Sequence, residues 1–165
     1  MVVLARYSLT LAYPATRIAS VLAAPEHPWT VGLDGDGREL LARVGLRVGR
    51  VRLYKHVRLV IGAVDWALRG ERLMLPVRWE AAGGPPLFPR MEGTIHVEPD
   101  QAGSSRLTLN VTYDPPLGKL GQALDKRAMH RLAEATIKDF LERVAVEVQA
   151  ELRGEPCEAG VVRHG

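Results

Sequence analysis

The chain has a single cysteine, Cys157, in a Gly/Pro/Glu-rich stretch near its end, so no disulfide can form within one molecule and oxidising secretion is not required. Long apolar runs are missing as well. Nothing approaches the roughly 18 uninterrupted apolar residues of a membrane span, and the apolar start is broken by Arg6, Pro14 and Arg17 with no basic leader ahead of it. Neither a membrane span nor a signal peptide is expected, and the cytoplasm is the expected compartment. His27, His56, His96, His130 and His164 have neither HxH nor HExxH spacing, and one thiol cannot build a thiolate cage, which argues against a metal centre. Asp34-Gly-Asp-Gly37 has the opening of a calcium loop without its later ligands or closing glutamate, and reads as a turn. A P-loop, a Gly-x-Ser-x-Gly elbow and a dinucleotide fingerprint are all absent, so no cofactor is expected either.

What remains is the composition of one ordinary globular domain: 165 residues, 47% apolar and 25% charged. Val3, Ala5, Tyr7, Leu9 and Leu11 share one parity, the two-residue period of a half-buried strand. Pro14 ends that strand and opens a short helix over about 15–22; a second short helical or turn segment is expected over 29–33, between Pro28 and Asp34. Strands dominate the next eighty residues or so. Leu40, Ala42, Val44 and Leu46 alternate with polar or small residues, then Val51, Leu53, Val57, Leu59 and Ile61 do so after a turn near Val48-Gly49, which makes a hairpin with one apolar and one basic face. Three further runs repeat the pattern: Leu73 to Trp79, Met91 to Val97, and Leu107 to Tyr113. Pro76 falls on the outward parity, where its missing donor suggests an edge or a bulge. Gly/Pro/Asp/Ser-rich breaks at 69–70, 82–86 and 100–104 favour short antiparallel connections.

The last third joins a strand to one long helix. Pro115 and Pro116 cannot extend a ladder, and Pro115 keeps Asp114 out of helical geometry, so the helix starts beyond them. Ala128, Leu132, Ala133, Ala135, Ile137, Phe140, Leu141, Val144 and Val148 recur at helical spacing opposite a charged face. That broad apolar stripe needs a sheet to cover it. The expected architecture is α+β: a curved antiparallel sheet wrapped around a long C-terminal helix, with two short helices after the first strand, over 1–153. A flexible tail is expected over 154–165.

This order, with Tyr113-Asp-Pro-Pro-Leu-Gly-Lys-Leu-Gly-Gln-Ala-Leu-Asp125 followed by His130-Arg-Leu-Ala-Glu-Ala-Thr136, resembles the START-like (SRPBCC) superfamily of polyketide cyclase-dehydratase and lipid-transport proteins, in particular the endings of its bacterial members. The resemblance implies a helix-grip fold around an apolar cavity. In that superfamily some members bind sterols, lipids or polyketides, some catalyse cyclisation or dehydration, and others bind partners, so fold alone does not select among them. The glycine-rich loop of plant pathogenesis-related relatives is not matched, since Gly32-Leu-Asp-Gly-Asp-Gly37 is differently placed and spaced.

Inward parity assigns Tyr7, Leu53, Trp79, Met91 and Tyr113 of the sheet, with Leu132 and Phe140 of the helix, to the lining of such a cavity or to a filled core. Lys55 shares the parity of Leu53 and Val57. Among aliphatics it would need a lowered pKa or a carboxylate partner, which suits acid-base or anion-binding work, unless a bulge near Tyr54 turns it to solvent. Asp139, at the rim of the apolar stripe near Thr136, is the candidate partner; an ion pair with Arg143 at i+4 is the alternative. From Arg38 to Arg58 seven Lys/Arg residues stand against one acid, Glu39, giving a basic outer face to the hairpin. With a net charge of only +3 and no nucleic-acid motif, nucleic acid is not the expected partner; the acidic Glu147, Glu151, Glu155 and Glu158 offer a counterpart within the chain or across a homodimer.

Three functions stay open at this point. The first is binding of a small hydrophobic or amphipathic ligand between sheet and helix. The second is a cyclase/dehydratase-like enzyme, in which Lys55 or a pocket tyrosine polarises a carbonyl and Asp139 moves a proton. The third is a non-catalytic interaction module using the basic face.

Overall fold

The computed structural model describes residues 3–26, 28–30, 34–35, 39–48, 51–67, 72–81, 90–114 and 126–154, with side chains for 4–26, 28–29, 58–67, 72–79, 90–113, 127, 130–131 and 133–154. Strand β1 (Val3–Leu11) leads through Pro14 into helix α1 (Ala15–Ala23). A 3₁₀ turn follows at Pro28–Thr30, tied to α1 by Trp29, whose Nε1 donates to the Leu22 carbonyl at 3.2 Å. The segment expected over 29–33 is therefore a single tight turn where it is described; 31–33 lie outside the described residues.

Strands β2 (Asp34–Gly35), β3 (Glu39–Val48), β4 (Val51–Ile61), β5 (Asp65–Ala67), β6 (Arg72–Ala81), β7 (Arg90–Pro99) and β8 (Ser105–Asp114) precede helix α2 (Lys126–Arg153). Among the described residues they form one antiparallel sheet in the order β1-β8-β7-β6-β4-β3-β2, with β5 paired to β6. Asp34 and Gly35, expected in a turn, pair with Leu41 and Leu40. The turn expected over 100–104 is present and closes on Gly103, whose φ of 78° suits a residue without Cβ. The breaks expected at 69–70 and 82–86 lie outside the described residues.

Pro76 belongs to β6, an interior strand, and the sheet accommodates it with a bulge in its neighbour. The β4 ladder on β6 runs from Val57↔Ala81 to Ile61↔Val77, and β5 resumes at Asp65↔Met74, so three residues on one side face two on the other. The Pro76 carbonyl still accepts from the Gly62 N–H at 2.8 Å. A strand residue turns its N and C=O to the same neighbour, so the donor that proline lacks is on the bulged side.

The odd-numbered residues of β1, β6, β7 and β8 form the inner face. Leu73, Leu75, Val77, Trp79, Met91, Ile95, Val97, Leu107, Leu109, Val111 and Tyr113 are all buried. Helix α2 covers this face with Ala133, Ile137, Leu141, Val144, Ala145 and Val148, and it ends at Gly154, whose φ of 71° is the left-handed stop common after helices. The close approaches of α2 are to β1, β8 and β3, whereas α1 lies against β6 and β7. Since β1 and β3 stand near opposite ends of the strand order, a helix touching both must be wrapped by the sheet, and the central strands arch away from it.

Candidate functional site

Under that arch the inner face carries its bulkiest row. The pairings Leu59↔Trp79, Trp79↔Met91 and Met91↔Tyr113 align four residues side by side across β4, β6, β7 and β8, each essentially without solvent contact. From above, Phe140 of α2 meets Trp79 with ring centroids 5.0 Å apart and planes tilted by 37°. The next row holds smaller residues, Ala5, Val111, Gly93 and Val77.

Two polar groups enter this apolar layer. Tyr113 is fully buried, and burial pushes its phenol above the ordinary range. Thr136 of α2 is also buried. At the border, the Tyr7 hydroxyl donates to Glu142 Oε1 at 2.8 Å, a clasp between β1 and α2; the hydrogen bond to the carboxylate is the main reason its phenol is raised. Lys138 Nζ stands 3.9 Å from the same Glu142 oxygen.

The structure thus gathers Trp79, Met91, Tyr113 and Phe140 into one layer, with Tyr7 at its edge. Asp139 forms an ion pair with Arg143 at 2.8 Å and is about half exposed, with a side-chain exposure of 48%. The side chains of Leu53, Lys55 and Leu132 lie outside the described residues. For Lys55 the backbone is informative: the β3–β4 ladder runs unbroken from Glu39↔Val60 to Val48↔Val51, so no bulge separates Lys55 from the parity of buried Leu59. Sequence reasoning missed Glu142 as the partner of Tyr7, because helical spacing puts it on the charged face; only the tertiary approach of β1 brings them together. Leu59 stood in the inward alternation of its strand but not among the expected lining residues. Among the described residues no three His, Cys, Asp or Glu side chains are placed to hold a metal ion.

No family model matches the chain, and no curated protein matches it. Solved structures do. An aromatase/cyclase from a Streptomyces species superposes with a TM-score of 0.55 at 16% identity, covering 97% of this chain and 100% of that one. A START superfamily protein from Mycobacterium smegmatis gives 0.52 at 14% identity, covering 92% and 97%. Norcoclaurine synthase from Thalictrum flavum, in complex with dopamine and hydroxybenzaldehyde, gives 0.54 at 14% identity, covering 96% and 90%. At such identities the likeness is one of fold, and the fold of this chain is the helix-grip fold of START and aromatase/cyclase proteins.

Proposed function

We propose that the chain binds a small hydrophobic or amphipathic molecule between its central strands and α2, in a space lined by Tyr7, Leu53, Trp79, Met91, Tyr113, Leu132 and Phe140. The observation that carries this reading is the grip itself. α2 is held near both ends of the strand order while the middle of the sheet arches away, and beneath it a flexible methionine and a tilted aromatic pair, side chains able to re-pack around a guest, fill the layer between helix and central strands. A protein of the same fold holds two small aromatic molecules, which supports the reading by analogy. A reducing, cytoplasmic setting fits the lone thiol and is part of the proposal.

A second reading, an enzyme of the cyclase/dehydratase kind, draws on Tyr113: a buried, protonated phenol in an apolar layer can donate to a ligand carbonyl and polarise it. Lys55 would then assist, and Asp139 would have to leave Arg143 to move a proton. Native mass spectrometry of freshly purified protein, followed by denaturing extraction, tests the first reading. A stoichiometric apolar adduct is expected; bare protein that no lipid or aromatic polyketide stabilises would defeat it. Substituting Lys55→Met then separates the two readings, since turnover should collapse in an enzyme while apolar affinity barely falls in a binding protein.

A further inference from the structure

Strand β1 stands at one end of the sheet, and among the described residues no strand lies on its second side. At the other end is β2, only two residues long. Proteins blunt a bare edge by shortening it, by bulging it, or with proline and charged residues. β1 is neither short nor bulged: its ladder on β8 runs unbroken from Val3↔Tyr113 to Leu11↔Ser105, and Val3–Leu11 contains no proline, lysine or glycine. Its one charged residue is Arg6.

The backbone groups that this edge offers follow from the alternation along antiparallel strands. A residue turns both its N–H and its C=O to one neighbour, and the next residue turns them to the other. At the β7–β8 turn the Asp100 N–H donates to the Ser104 carbonyl at 3.1 Å, so even residues of β8 face β7. The Pro76 carbonyl, which accepts from the Gly62 N–H at 2.8 Å, agrees: Pro76 faces away from β7, and its partner Thr94 therefore faces β8. Odd residues of β8 then face β1, where their partners are odd as well, Tyr7 opposite Leu109 among them. Leu4, Arg6, Ser8 and Thr10 are left with donor and acceptor turned to the free side, and all four side chains are exposed. On the inner face Ala5 and Leu11 are buried, whereas Tyr7 and Leu9 between them are only partly so. The middle of this edge is incompletely covered.

We propose that β1 pairs antiparallel with β1 of a second copy of the chain, about a two-fold axis at Tyr7, so that the two sheets become one. Self-complementarity selects this occupant. With Tyr7 set against the second copy's Tyr7, Leu4 stands opposite Thr10 and Arg6 opposite Ser8, and each of these pairs occurs twice by symmetry. All four outward-turned residues of both strands are then satisfied, by about eight hydrogen bonds. A slip of two residues either way leaves one of the four without a partner in β1, and one of the two slips sets Arg6 against Arg6, which like-charge repulsion disfavours. Arg6 thus guards against the wrong register and tolerates the right one. In that register Tyr7 gains the second copy's Tyr7 as its cross-strand neighbour and Leu9 gains Ala5, which covers the partly exposed middle of the edge. One paired edge is a small interface, so the dimer belongs to high protein concentration.

The test is sedimentation velocity of the full chain over a wide concentration range, where a monomer-dimer equilibrium is expected. Ser8→Glu places a carboxylate against Arg6 at two symmetry-related pairs and should tighten the dimer about 2- to 30-fold; Ser8→Arg places a cation there and should loosen it by a similar factor. Amide exchange gives an independent readout. The Arg6 and Ser8 amides should gain protection at high concentration that they lack when dilute, while the Tyr7 and Leu9 amides, turned to β8, should be protected in both. The proposal is overturned if the chain sediments as a monomer throughout, if the two Ser8 variants shift the equilibrium in the same direction or not at all, or if a dimer forms while the Arg6 and Ser8 amides exchange as freely as before.

Discussion

A buried tyrosine has two opposed effects on stability, and Tyr113 makes them measurable. Its ring completes the row with Met91 and Trp79, while its hydroxyl sits where ionisation is penalised by desolvation. The folded-state phenol is raised above the unfolded value of 10.0, so the stability tied to it is fully present below that pH and is lost as pH rises from there through the folded-state value. Tyr7, raised by its bond to Glu142, adds to the same alkaline loss. Tyr113→Phe should therefore leave urea midpoints near neutral pH little changed beyond the lost hydroxyl contact, and should shrink the fall seen above pH 10 without abolishing it, because Tyr7 remains. An unchanged alkaline fall in the variant would show that Tyr113 ionises as easily folded as unfolded.

At the level of elements, Gly93 shows how closely β7 and β8 are drawn together under the small-residue row. A Cβ there would stand 2.6 Å from the Asn110 carbonyl oxygen and 2.6 Å from Val111 Cγ1, and a backbone oxygen in a ladder cannot move aside cheaply. Gly93→Ala should cost about 1–3 kcal/mol, as overpacking does, read as a lowered denaturation midpoint; an alanine tolerated without loss would mean the two strands can separate. The strands themselves were legible in the sequence because each buries one face, so alternation reported both their existence and their inward parity. Trp79, Met91 and Tyr113 were legible for the same reason, and Asp139 with Arg143 followed from i+4 spacing. What alternation does not contain is the lateral order of strands. The extra residue opposite Pro76, the adjacency of the large groups in one row, and the reach of Tyr7 to Glu142 depend on pairings between distant segments.

For the whole molecule, the grip predicts how stability is shared. β1 and β3 are remote along the strand order, yet both touch α2, so the helix closes a ring that the ladder alone leaves open. Leu141, wholly buried on α2, belongs to the hydrophobic core that joins helix and sheet. Truncation by Leu141→Ala removes buried methyl groups and leaves a cavity, a loss of about 2–5 kcal/mol. If the ring is one cooperative unit, that loss should appear equally in amide exchange from β1 and from β3, and as a single shifted transition by tryptophan fluorescence and circular dichroism. A ligand seated under the arch should reverse part of it at both strands together, by about 2.7 kcal/mol at a hundredfold excess over its Kd. Loss of protection at β1 with β3 unaffected would mean that α2 rests on one side of the sheet without clasping the other. The space between them would then be a cleft open on one flank, too poorly enclosed to hold the apolar molecule proposed for it.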